Sequence, residues 1–160
     1  MSEPVNMKGI NLEPVIIKAM DEAEGHGWGF DFACRVAAEY QRFLILCRGN
    51  PDIGVVPSAV VDDFWHLHIL DTQKYAEDCD RFFGYFLHHF PYFGMRDAQD
   101  AKNLKAAWEL SLALYEAEFG EKPPAELWPK SRRCPNCGRR AGVGFDSRRP
   151  SFADMGLSAV

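Results

Sequence analysis

The stretch PSAVVDDFWHLHILD, residues 57–71, decides how the chain is read. It has no period-2 alternation of apolar and polar residues, so nothing in it asks for a half-buried strand. Its spacing predicts a helix opened by Pro57-Ser58, with Ser58 as N-cap. Asp62 and Asp63 then fall early in the helix, where carboxylates meet the positive end of the dipole. Asp71-Thr72 is expected to kink or restart it, and a second segment runs through Tyr75, Cys79, Phe82 and Phe83 to Gly84.

Four of the five histidines fall within 24 positions, at His66, His68, His88 and His89, and only His26 stands outside. Imidazole is the commonest metal ligand and titrates near neutral pH. On a helix Asp62 and His66 are i,i+4 neighbours, so the carboxylate can orient the ring or join it as a ligand. His66 and His68 are separated by about 200° around a regular helix and cannot both face one centre without distortion. Either the helix distorts, or His68 turns to the face of Thr72, Tyr75 and Cys79 while His66 faces a site.

Working outward, Glu13-Pro14 and the apolar residues Val15, Ile16, Ile17, Ala19 and Met20 predict a short first helix. Gly25, Gly27 and Gly29 end it. Asp31 is expected to cap a second helix with Ala33, Val36, Ala37, Tyr40, Phe43, Leu44 and Cys47 on one face, stopped by Gly49-Asn50-Pro51. A fifth helix is predicted from Asp97 or Asp100 to Phe119, with Leu104, Ala107, Trp108, Ser111 and Tyr115 on one face. The fold expected is all-α: a bundle of about five helices over residues 1–129, followed by an irregular basic tail over 130–160.

Composition agrees with a globular chain, 47% apolar and 13% aromatic over 160 residues. No apolar run reaches the roughly 18–20 residues that span a bilayer, and no secretory leader is visible, so a cytoplasmic protein is expected. Residues 1–129 carry 11 Lys/Arg against 21 Asp/Glu, a balance of −10, while 130–160 carry 7 against 2, a balance of +5. An acidic body excludes general nucleic-acid binding and leaves phosphate contacts to the tail. The tail holds Cys134-Pro135-Asn136-Cys137-Gly138, half of a structural zinc site, whose other two ligands no second Cys-x-x-Cys or His pair supplies. In the tail, Cys134 and Cys137 are the secondary metal candidates.

These residues also carry a resemblance. Pro57-Ser58 through Gly84, with Val61-Asp62, Trp65-His66-Leu67-His68, Leu70-Asp71, Tyr75 and Asp78-Cys79, resembles the glycine-rich domain-containing protein-like family. That family is a domain of unknown function found in plants, fungi and bacteria. The resemblance covers roughly residues 30–120 and implies a helical domain. Its plant members are associated with stress and developmental responses and carry a long glycine-rich region, which this chain lacks.

The function expected is a small cytoplasmic helical domain binding a divalent metal, zinc or iron with copper also suited to such donors, through Asp62, His66, His68 and His89. His89 is preferred to His88 because Pro91 holds the backbone beside it extended. Two other readings compete. In one the histidines are structural and an aromatic loop (Phe86, Phe90, Tyr92, Phe93) or the basic tail binds a partner protein. In the other a metal-bound water makes the chain an enzyme.

Overall fold

Proline in a first helical turn loses no hydrogen bond, since its missing N–H would have no partner there. The first helix, α1, accordingly runs Glu13–Met20 with Pro14 in that turn, and buries Val15, Ile16 and Ala19. The chain then doubles back, the amides of His26 and Trp28 both donating to the Ala19 carbonyl. A computed structural model describes residues 6–7, 9–129, 138–139 and 146–158 of the chain.

The second helix, α2, spans Phe30–Gly49. It starts one residue ahead of Asp31, which sits in the first turn instead of capping it. Every apolar position expected on its inner face, from Ala33 to Cys47, is 0–1% exposed. Helices α3, Ala59–Leu70, and α4, Thr72–Phe83, meet at Asp71, whose carboxylate caps α4 by accepting the Lys74 amide at 3.3 Å. Gly84 closes α4 in the left-handed conformation. Asp97 caps α5, Ala98–Phe119, by accepting the Asp100 amide at 2.7 Å.

Among the described residues the fold is all-α with five helices, as the sequence pattern requires. The strands among the described residues are two-residue pairs: β1 (Asn6–Met7) with β2 (Ile10–Asn11), and β3 (His89–Phe90) with β4 (Gly138–Arg139), both antiparallel. No helix of the described residues is long and apolar enough to cross a membrane.

The chain divides into two units. The first takes in Met1–Ile45 and Val60–Leu87, the second Leu46–Ala59 and His88–Val160. The core of the first is aromatic: Tyr40 and Phe43 of α2 pack on Phe64 and Trp65 of α3, with ring centroids 5.0 and 4.9 Å apart. In the second unit Trp128 stacks on Trp108 at 6.1 Å and tilts against Tyr115 at 5.6 Å. Ser111 joins it by accepting the Val56 amide at 2.9 Å while donating to the Ala107 carbonyl at 2.7 Å.

Gly94 shows where the second unit has no slack. Its φ is +93°, its amide donates to Asp100, and a Cβ built there would press well inside contact with Leu104, a side chain 1% exposed. Gly94→Ala combines a strained backbone with overpacking and is expected to cost about 2 kcal/mol or more. Urea denaturation measures it, and a loss under about 0.5 kcal/mol would contradict the fit described.

Candidate metal centre

One turn of α3 brings the Asp62 carboxylate and the His66 ring together. His66 Nε2 lies 2.9 Å from Asp62 Oδ2, with the His66 side chain 47% exposed and that of Asp62 3%. The hydrogen bond that the ring donates to Asp62 pushes the imidazole above its usual pKa, against an opposing effect of burial. Asp63 flanks the pair. Burial raises its carboxyl, and the neighbouring charges of His26 and His66 pull the other way. A buried carboxylate therefore holds a half-exposed imidazole by one nitrogen, at the point where α3 meets solvent.

His68, two residues on, belongs to the core. It is 1% exposed, and both its ring nitrogens are engaged: Nδ1 with the Tyr40 hydroxyl at 2.7 Å and Nε2 with Asp78 Oδ2 at 2.9 Å. Burial alone would raise the Asp78 carboxyl, but hydrogen bonds from His68 and Lys74 more than offset it and hold Asp78 below the usual carboxylate range. Asp78 is thus the acceptor of the His68 Nε2–H, and Nδ1 shares its hydrogen bond with the Tyr40 hydroxyl. The ring also packs edge-on against Tyr75 at 4.9 Å. Tyr75 in turn accepts the Trp65 indole N–H at 3.0 Å and donates to the Leu87 carbonyl. Of the two arrangements open to an Asp62–His66–His68 helix, the structure has the undistorted one, with the histidines on different faces.

In the second unit His89 is half-buried on β3, in register with Arg139, while His88 is exposed. The aromatic residues after it are mostly interior: Phe90 is 3% exposed and Phe93 6%, with Tyr92 intermediate, whereas Phe86 in the first unit is 45% exposed. Cys134 and Cys137, the secondary candidates, lie outside the described residues.

Two sets of polar residues escaped the sequence pattern. Tyr40 and Asp78 reach His68 from two other helices, and no local spacing announces such a convergence. Arg96, 6% exposed, pairs with Asp100 through Nε at 2.8 Å and Nη2 at 2.7 Å. The i,i+4 spacing of Arg96 and Asp100 was readable, but its burial was not.

Searches of curated proteins and of solved structures found no match. A family model, UCP032817-like, matches residues 10–127. The match begins before α1, ends after α5 and takes in the whole of α3 and α4, with the Asp62–His66 pair and the Tyr40–His68–Asp78 network. The chain therefore belongs to the UCP032817-like family.

Proposed function

We propose that this domain binds a divalent metal ion, zinc or iron, through Asp62 and His66. The observation that carries the reading is the Asp62–His66 pair. Two different donor atoms, one on a buried carboxylate and one on a half-exposed imidazole, lie 2.9 Å apart. Two ligands of one ion with bonds of about 2.1 Å sit at roughly 3 Å from each other, so the pair needs little adjustment. Carboxylate with imidazole is a donor set that zinc and divalent iron accept. His68 is left out because both its nitrogens serve the core. The ligand positions that this pair leaves are open to water or a substrate.

The kinship read from Trp65-His66-Leu67-His68, that of the glycine-rich domain-containing protein-like family, is part of the same proposal. So is residence in the cytoplasm.

Elemental analysis of untagged protein purified without chelator tests the metal reading. About one metal per chain is expected after equilibration with zinc, and His66→Ala should bring it close to zero while leaving helical content intact. Less than about 0.2 metal per wild-type chain, unchanged by added zinc or iron, would remove the proposal.

A further inference from the structure

In the second unit a turn over residues 151–157 is closed at both ends and yet leaves its large side chains in solvent. Phe152 is 62% exposed, Met155 40% and Leu157 58%. At its start Ser151 and Asp154 form a capping box. The Ser151 amide and hydroxyl donate to Asp154 Oδ2 at 2.6 and 3.0 Å, and the Asp154 amide donates back to the Ser151 hydroxyl at 3.4 Å. At its end stands a Schellman motif. The Leu157 amide donates to the Phe152 carbonyl at 2.8 Å and the Gly156 amide to the Ala153 carbonyl at 3.2 Å, with Gly156 left-handed at φ +67°.

The root of the turn is held as well. Arg96 Nη1 donates to the Asp146 and Arg148 carbonyls at 2.8 and 3.0 Å and pairs with the Asp146 carboxylate at 3.2 Å. Arg149 lies over the Phe90 ring at 5.9 Å. Arg148 holds Asp154 at 2.8 Å with half of its side chain in solvent. A held root and two caps thus keep three apolar side chains in water, where each forgoes the stabilisation of burial. The amides of Ser151 and of Asp154, Met155, Gly156 and Leu157 are meanwhile engaged inside the turn. Such a tip can leave water without stranding those donors.

We propose that this turn inserts into an anionic lipid surface: Phe152, Met155 and Leu157 enter the boundary between headgroups and acyl chains while basic residues beside them meet lipid phosphates. Charge favours that occupant. Residues 130–160 carry 7 Lys/Arg against 2 Asp/Glu, and a basic segment with an apolar tip is drawn to acidic lipids. Acidic groups farther off than a Debye length, about 8 Å at physiological ionic strength, count little against that local balance. Size favours it too. A specific protein interface buries roughly 1,000 Å² or more, which three side chains do not reach, whereas shallow insertion adds its apolar and electrostatic parts residue by residue. The inference is independent of the metal reading.

The test is co-sedimentation of the full chain with vesicles of phosphatidylcholine alone and of phosphatidylcholine with about 30% phosphatidylserine. Binding to the anionic vesicles is expected to be tighter by about 10-fold or more, and to weaken by a similar factor between about 0.1 and 0.5 M salt. The double variant Phe152→Ser/Leu157→Ser changes exposed positions, so helical content should stay at the wild-type level while vesicle binding falls by about 10-fold or more. Wild-type binding by that variant would mean that headgroup phosphates alone are recognised, and overturns insertion. Equal binding to neutral and anionic vesicles overturns the charge argument and the proposal with it. No binding to either overturns it as well and returns the tip to a protein partner.

Discussion

His68→Leu is expected to lower unfolding stability by about 3 kcal/mol, although leucine has the size and apolarity to fill the site. The loss comes from what the ring leaves behind. Asp78, 2% exposed, loses one of its two charge-stabilising donors, and Tyr40, 0% exposed, loses its hydrogen bond to the ring. An orphaned buried polar group carries a penalty of roughly 1–3 kcal/mol, more when it is charged. Lys74 stays on Asp78 at 2.9 Å and keeps the loss from the upper end. Replacing Tyr40 with Phe in the same background should return part of it, because no hydroxyl then faces the leucine. Urea denaturation reads both effects, and a loss under about 1 kcal/mol would mean that the network is not closed as described.

The same network has a pH signature. The native Asp78 carboxyl titrates below its unfolded range, so its contribution is fully present above the ordinary carboxylate pKa and is lost as pH falls through the native value. The gap in stability between wild type and His68→Leu should therefore be widest near neutrality and narrow below about pH 4.

These residues also show what could be read in advance and what could not. The inner face of α2 and the break at Asp71 are local, and each stands where the pattern put it; for α5 the pattern left the start at Asp97 or Asp100, and Asp97 is the cap. The separation of His66 from His68 was likewise legible, because helix geometry forces two positions apart onto different faces. The Tyr40–His68–Asp78 chain was not legible, since it joins three helices and Tyr40 lies 28 residues from His68. Arg96 was harder still. Beyond Asp100, its partners lie 50 and 52 residues away, and two of them are backbone carbonyls, which leave no trace in residue type. Local signals placed the elements, while the contacts that decide core against site lie between elements.

That division makes the two faces of α3 separable by experiment. If Asp62 and His66 bind zinc, zinc at 100 times its dissociation constant should raise wild-type stability by about 2.7 kcal/mol. Asp62→Asn keeps an oxygen for the His66 ring to donate to but removes the carboxylate charge, and it should reduce that gain to under about 0.5 kcal/mol with little change in the metal-free protein. His68→Leu should do the reverse: the metal-free protein becomes markedly weaker, yet the zinc-dependent gain survives. Thermal or urea unfolding with and without zinc gives all the values needed. A full gain in Asp62→Asn would remove Asp62 from the site. Loss of the gain in folded His68→Leu would return His68 to the ligands, and would mean that α3 distorts on binding to bring both imidazoles to one ion, because the undistorted helix keeps them on opposite faces.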